Sequence, residues 1–239
     1  MSTGHILSAF DEDLERIQAQ LLRMGGLVET ALHDAMTALE AGDLDLARRV
    51  KEGDQSIDDL EESIRQEVER VIALRAPHAS DLRTLLSVLT MASTLERCGD
   101  YARNVAKRTF VLEEFRYAST LTGTLRRMSR VVEGMLADAL DAYVSHDLAK
   151  AEDVIARDFE ADQIYNSLFR ELLTHMMEDP RTIAPAMHLH FIAKNIERVG
   201  DHATNLAEQA IYLVTGAFPS DDRPKADVTS VNLSELWDG

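Results

Sequence analysis

The sequence predicts an all-α protein made of two tandem, homologous, antiparallel three-helix bundles with six long helices. Composition is the first reason, because only 5% of the 239 residues are aromatic and the chain has 11 glycines and 5 prolines. A second reason is that apolar residues recur at intervals of three and four along most of the chain. Finally, a nine-residue motif occurs twice, displaced by 101 residues, which indicates a duplicated domain.

The first half contains three predicted helices in sequence. An apolar stripe predicts a helix over residues 6–40. A break follows, and Asp43 is a natural N-cap for a second helix over residues 43–74. Pro77 then forces a turn, and a third stripe predicts a helix over residues 80–115. Three long helices joined by short connections are typical of an antiparallel bundle.

The second half repeats this plan. Residues 128–139 align with residues 24–35 at an offset of 104, and six of the twelve positions are identical. The corresponding helices are predicted over residues 120–145, 147–177 and 181–214.

These patterns predict three segments of the chain. The first bundle is expected over residues 1–117 and the second over residues 118–215. Residues 216–239 lack periodicity and contain Gly, Pro and Asp, so we expect a loose C-terminal tail.

Charge and hydropathy restrict the possible partners. There are 42 acidic and 25 basic side chains, and a formal net charge of −17 disfavours binding to nucleic acid or to anionic lipid. The longest uncharged stretches, such as residues 84–95, are far shorter than the ~20 apolar residues of a membrane span. Cys98 is the single cysteine, so no internal disulfide can form. We expect a soluble cytoplasmic protein without a signal peptide.

The repeated motif places acidic residues in unusual positions. It reads Glu-Arg-Cys-Gly-Asp-Tyr-Ala-Arg-Asn over residues 96–104 and Glu-Arg-Val-Gly-Asp-His-Ala-Thr-Asn over residues 197–205. Each glutamate occupies a core-facing position of its helix, where an unpaired carboxylate costs a few kcal/mol. An aspartate follows four residues later, and like charges at that spacing destabilise a helix by roughly 0.2–0.5 kcal/mol. A positive group is therefore expected between them.

The middle helix of each bundle carries a second pair of carboxylates, also four residues apart. Four acidic side chains can thus converge in each bundle, and one asparagine one turn further along could add an amide oxygen. Oxygen-rich sites of this kind suit Fe, Mn, Mg, Ca or Zn ions, so we predict one metal site or cluster per bundle. The predicted ligands are Asp54, Asp58, Glu96, Asp100 and Asn104 in the first bundle and Asp158, Asp162, Glu197, Asp201 and Asn205 in the second.

A structural alternative to metal binding remains open. Arg97 and Arg198 follow the two glutamates, and Arg103 or Lys107 could also neutralise the acids in salt bridges.

The two glycines of the motif indicate how closely its helix packs against a neighbour. Gly99 and Gly200 each cost about 1 kcal/mol inside a helix, so their paired placement indicates close backbone approach beside the site or tight helix packing.

The sequence gives little support for catalysis. No Glu-x-x-His pair accompanies the eight histidines, which argues against a ferritin-type di-iron oxidase site. A glycine-rich phosphate loop and a nucleophile elbow are also missing from the sequence. We therefore expect a protein that is not an enzyme.

With these motifs the chain resembles the PhoU family. The resemblance covers about residues 5–214 and rests on both acidic motifs, on the stretch over residues 75–83, and on the two helices that contain a Met-x-x-x-Val-Glu sequence, which begins at Met24 and at Met128. It implies two three-helix bundles, a tendency to form homodimers, and metal clusters held in some members by the Glu-x-x-x-Asp pairs.

The resemblance also implies a function. Members of this family are negative regulators of the phosphate-starvation response, and they convey the state of a phosphate ABC transporter, through its ATPase subunit, to a phosphate sensor histidine kinase. A metal-dependent enzyme or metal store that uses the same carboxylates is one alternative. An adaptor for a different phosphate or cation transporter is another.

Overall fold

A computed structural model of the protein describes residues 3–115 and 121–219. Over these residues the chain is helical, without a β-strand, so the all-α prediction is confirmed. The elements in order are α1 (Thr3–Ala41), α2 (Leu44–Gly53), α3 (Gln55–Arg75), α4 (Ser80–Glu114), α5 (Leu121–Ser145), α6 (Leu148–Glu178), a 3-10 turn (Pro180–Thr182) and α7 (Ile183–Thr215).

Equivalent aspartates begin the middle helix of each bundle. The carboxylate of Asp43 accepts hydrogen bonds from the backbone N–H groups of Asp45 and Leu46 at 3.0 and 2.9 Å. Asp147 caps α6 in the same way by accepting from Lys150 N–H at 3.1 Å. Each carboxylate satisfies backbone donors that the first helical turn leaves unpaired, so the predicted cap at Asp43 is confirmed.

The second predicted helix is interrupted at one residue. α2 ends at Gly53 and α3 begins at Gln55, with Asp54 between them. The carbonyl of Asp54 accepts from Ile57 N–H at 2.8 Å and from Asp58 N–H at 3.2 Å. The turn is therefore tightened locally, while Asp54 keeps helical angles of φ −54° and ψ −37°. α2 and α3 together form the single middle helix that was predicted.

The helices assemble as two three-helix bundles that pack against each other. α1, α2–α3 and α4 form the first bundle, and α5, α6 and α7 form the second. α1 packs on α5 and α4 packs on α7, so the buried apolar side chains form one continuous core. At the α1–α5 contact, a Cβ atom on Gly25 would overlap the side chain of Leu140.

The ends of the predicted segments lie partly outside the described residues. Gly216, in the left-handed region at φ +80°, ends α7 as its C-cap. The expected boundary between residues 117 and 118 and most of the expected tail, residues 220–239, are not among the residues that the structure describes. Within the described part of the chain, no helix is both long and apolar enough to cross a bilayer.

Candidate functional site

The acidic side chains of the first bundle lie where α3 begins alongside α4. Asp54 is buried, with 5% of its surface exposed. Arg103 of α4 donates a hydrogen bond to Asp54 and forms an ion pair with Asp100 at 2.5 Å. One guanidinium thus bridges a carboxylate of the middle helix and a carboxylate of the repeated motif.

The other two acids of this cluster carry unbalanced negative charge. Burial raises the pKa of Asp58, and the charges of Asp54 and Asp100 raise it further. The pKa of Glu96 is raised first by burial and then by Asp100 and Asp58. The four carboxyl groups are therefore close enough to interact, and the single charge of Arg103 does not neutralise them.

The structure brings together four of the five residues predicted as ligands in the first bundle, and it places Arg103 among them. The salt-bridge alternative accounts for Asp54 and Asp100. Within residues 3–115 and 121–219, no group of three or more His, Cys, Asp or Glu side chains has an arrangement that could hold a metal ion. Metal coordination by these acids stays a prediction.

We call the equivalent acids of the second bundle its acidic cluster, and two of them are buried. Glu197 and Asp162 are each 6% exposed. The ammonium of Lys194 donates to Glu197 at 2.8 Å and lies 5.2 Å from the centroid of the Tyr165 ring. Burial of the Glu197 carboxylate is tolerated because a cation of the same helix lies beside it.

The two clusters obtain their cations from different positions of the repeat. The equivalent of Arg103 in the second bundle is Thr204, whose hydroxyl donates to the carbonyl of Asp201 at 2.7 Å. The equivalent of Lys194 in the first bundle is Ser93. The repeated motif contains Arg103 and so indicates it as a candidate cation, whereas Lys194 lies outside the motif. Comparison of charge position by position between the repeats would have found it.

Both motif glycines lie against the middle helix beside an aspartate. A Cβ atom on Gly99 would be 2.9 Å from Ile57 Cδ1 and 3.5 Å from an oxygen of Asp54. On Gly200 it would be 3.6 Å from an oxygen of Asp158. The expected close backbone approach is confirmed at Gly99, whereas the contacts at Gly200 have ordinary van der Waals distances. Both glycines place the motif helix beside an aspartate of the middle helix.

The two asparagines predicted as ligands lie elsewhere. Asn104 lines a groove between α4 and α7. Asn205 is exposed, and its amide nitrogen is 3.5 Å from Nδ1 of His202. Among the described hydrogen bonds, neither amide joins a carboxylate of the acidic clusters.

Two copies of one three-helix bundle, each with an acidic cluster next to a helical glycine, define a duplicated helical protein with paired acidic sites. Comparison with known families agrees with this class. The family described as "PhoU domain" matches the chain twice, over residues 21–109 and 125–210. The chain belongs to the PhoU family.

Relatives and solved structures match over most of their length. The phosphate-specific transport system accessory protein PhoU homolog of Caulobacter vibrioides is 46% identical over 228 residues, which are 95% of this chain and 99% of the relative. The homolog of the same description in Rhizobium meliloti is 46% identical over 230 residues, 96% of this chain and 97% of the relative.

Solved structures give the same result for the fold. The crystal structure of PhoU from Pseudomonas aeruginosa has a TM-score of 0.85 at 40% identity, and the match covers 87% of this chain and all of that one. The phosphate transport system regulatory protein PhoU from Streptococcus pneumoniae has a TM-score of 0.81 at 31% identity, with 88% and 99% covered.

Proposed function

We propose that this protein is an accessory regulator of phosphate-specific transport that represses the phosphate-starvation response while phosphate is abundant. In this role it couples the ATPase subunit of a phosphate ABC transporter to a sensor histidine kinase and modulates phosphate uptake. The observation that carries the proposal is the 46% identity, over 95% of this chain, to a protein named as a phosphate-specific transport system accessory protein.

The charges of the acidic clusters support a binding role rather than catalysis. Arg103 and Lys194 hold carboxylates in ion pairs, and carboxylate oxygens engaged by a cation are less available to contact a substrate. The net charge of −17 instead favours recognition of basic protein surfaces. We propose that the protein acts in the cytoplasm as a homodimer.

Deletion of the gene tests the regulatory role. Alkaline phosphatase activity is measured in cells grown with abundant phosphate, before deletion, after deletion and after complementation. Deletion is expected to raise the activity, and the wild-type gene is expected to restore repression. Unchanged repression in the deletion strain would contradict the proposal.

Direct binding tests the proposed partners separately. The purified chain is mixed with the purified ATPase subunit, and complex formation is followed by size-exclusion chromatography with light scattering. A shared peak is expected, and the mass of the chain alone is expected to be that of a dimer. Separate elution of the chain and the ATPase subunit would count against the transporter contact, whereas a monomer mass would count only against the homodimer.

Metal binding at the acidic clusters is a second candidate function. The observation that favours it is the mutual interaction of Asp54, Asp58, Glu96 and Asp100, since a cation would relieve the repulsion that raises the pKa values of Asp58 and Glu96.

Elemental analysis of untagged protein tests the metal site. Glu96→Ala/Asp100→Ala is expected to lower the metal content relative to wild type. Asp11→Ala/Glu15→Ala is the matched control, because it removes two exposed carboxylates at the same spacing from α1. Equal metal content in wild type and both variants would contradict the proposed metal site of the first bundle.

A further inference from the structure

A basic groove runs between α4 and α7, on a protein whose overall charge is strongly negative. It has a volume of about 570 Å³, and Lys107, Arg108, Lys194 and Arg198 line it. No carboxylate is among the described residues of its lining. Four cations around one concave surface create a local positive potential that attracts small anions.

Arg108 is a partly buried cation of this groove that contacts a histidine and an aromatic ring. Burial lowers the pKa of its guanidinium, and among the described residues no carboxylate forms an ion pair with it. It donates instead to Nδ1 of His188 at 2.9 Å, and its guanidinium carbon lies 4.4 Å from the ring centroid of Phe191. A half-buried guanidinium without an acidic partner in the described chain has unused capacity to bind an anion.

The opposite side of the α4–α7 pair shows that this charge is specific to one groove. The repeat equivalents of Lys107 and Arg108 are Glu208 and Gln209, and the equivalent of Lys194 is Ser93. Helix packing alone therefore does not require these three cations, because the second copy of the same contact lacks them and keeps only Arg97, the equivalent of Arg198.

The size and the other lining groups indicate the kind of ligand. Pockets for small molecules are about 300–1,000 Å³ in volume, and the groove falls within this range. Asn104 and Asn195 offer amide hydrogen bonds, and Phe191, which is 43% exposed, offers an aromatic surface. Arg and Lys together are the usual partners of phosphate groups, which Arg binds through two parallel hydrogen bonds.

We propose that the groove between α4 and α7 binds the phosphate groups of a small anion, either inorganic phosphate or a nucleotide-sized organic phosphate. Arg108 donates hydrogen bonds to the phosphate oxygens, and Lys107, Lys194 and Arg198 supply further positive charge around them. The groove shares Lys194 with the acidic cluster of the second bundle. Its ligand is measured on purified protein, independently of the regulatory role.

Titration calorimetry of the full chain with inorganic phosphate, pyrophosphate and ATP tests this site. Lys107→Glu/Arg108→Gln introduces the residue types found at the equivalent positions of the second repeat, Glu208 and Gln209. This variant is expected to weaken binding by at least about tenfold, because the loss of one charge-assisted hydrogen bond alone lowers affinity by about that factor. Arg198→Gln changes an exposed side chain and is expected to weaken binding without unfolding the protein. Arg48→Gln is the matched control, because it removes an exposed guanidinium of α2, and it is expected to leave binding unchanged.

The outcomes distinguish the sources of phosphate and decide the proposal. Tighter binding of ATP than of pyrophosphate supports an organic phosphate, whereas equal affinities, or preference for inorganic phosphate, support recognition of the phosphate group alone. The proposal is overturned if none of the three anions binds at low ionic strength. Equal weakening by Arg48→Gln and by the folded groove variants would also overturn it, because that result would show a diffuse effect of charge.

Discussion

The ring of Tyr101 stacks on the ring of His202, with centroids 5.6 Å apart and planes only 16° from parallel. These residues occupy the same position in the two copies of the motif, one on α4 and one on α7. Contact between equivalent positions is the mark of an approximate twofold relationship, so the axis that relates the bundles passes close to this pair. His202 therefore lies at the contact between the two bundles.

Acidification is expected to weaken the fold through His202. Burial lowers its pKa, and the charges of Arg97 and Arg198 lower it further against the opposing effect of Asp201. The unfolded chain then binds a proton near the ordinary histidine value of about 6.5, while the folded chain resists it. The stability that depends on neutral His202 is therefore full above that value and is lost as the pH falls below it.

Urea unfolding at about pH 7.5 and about pH 5.5 measures this effect. His202→Phe keeps a ring against Tyr101 and is expected to reduce the loss of stability between the two conditions. His78→Phe, at an exposed position, is the control and should keep the wild-type loss. An undiminished loss in His202→Phe would contradict the assignment to this residue.

Removal of the guanidinium of Arg103 is expected to destabilise the first bundle. Arg103→Gln leaves Asp54 buried without its charged partner, which costs about 1–3 kcal/mol in the free energy of unfolding. Arg65→Gln is the comparison, since the ion pairs of Arg65 lie on the exposed face of α3 and such pairs contribute less than about 1 kcal/mol. Urea denaturation checks both variants, and equal losses would argue against a special role for Arg103.

Neutralisation of Glu96 is expected to have the opposite effect at neutral pH. Because the pKa of Glu96 is raised in the folded state, the folded chain holds this proton more tightly than the unfolded chain. Stability is thus lost as the pH rises from the ordinary glutamate value of about 4.3 through the raised value.

Glu96→Gln removes this penalty and the repulsion from Asp100. The expected gain at pH 7 is about 0.2–0.5 kcal/mol, and it should shrink near pH 4, where the wild-type carboxyl is largely protonated. Unfolding free energies at both pH values measure it. Glu12→Gln, at an exposed position of α1, serves as the control. A loss of stability at pH 7 would show that the glutamate has a stabilising partner.

The two motif glycines are expected to respond differently to alanine. A Cβ atom on Gly99 would lie 2.9 Å from Ile57 Cδ1 and 3.3 Å from Ile57 Cγ2, whereas on Gly200 it would make an ordinary 3.4 Å contact with Val132. Alanine gains about 1 kcal/mol in a helix, but overpacking costs about 1–3 kcal/mol. Gly200→Ala is therefore expected to be neutral or stabilising, and Gly99→Ala destabilising.

Thermal unfolding of both glycine variants provides the measurement. Gly26→Ala gives the helix-propensity gain by itself, because a Cβ atom at Gly26 would meet no neighbouring atom within 4 Å. A melting temperature of Gly99→Ala at or above that of Gly200→Ala would contradict the predicted order.

The sequence predicts those parts of this fold that depend on local pattern. Apolar periodicity defines the helices, and the cap at Asp43 needs only its own neighbouring N–H groups. The break at Asp54 lies at a Gly53-Asp54 dipeptide in a stretch without apolar residues, but the apolar periodicity resumes in register at Ile57, so periodicity alone does not reveal it. Like charges four residues apart correctly indicated a nearby cation in the first bundle.

The partners of those charges could not be predicted in the same way. Arg103 reaches Asp54 across 49 positions of sequence, and this pairing depends on how α4 packs against the middle helix. The groove around Arg108 could not be predicted from the sequence either, because it forms between α4 of the first repeat and α7 of the second. Helix periodicity describes each helix separately and contains no information on the groove between two of them.

Arg103 and Lys194 pair with buried acids from repeat positions that do not correspond to each other. A single substitution at either position leaves carboxylates without their cation in one bundle, while the ion pair of the other bundle is unaffected. The equivalent of Arg103 is Thr204 and that of Lys194 is Ser93, so neither ion pair has a counterpart in the other copy. Each half of the duplicated chain has thus acquired its own way of burying acidic side chains.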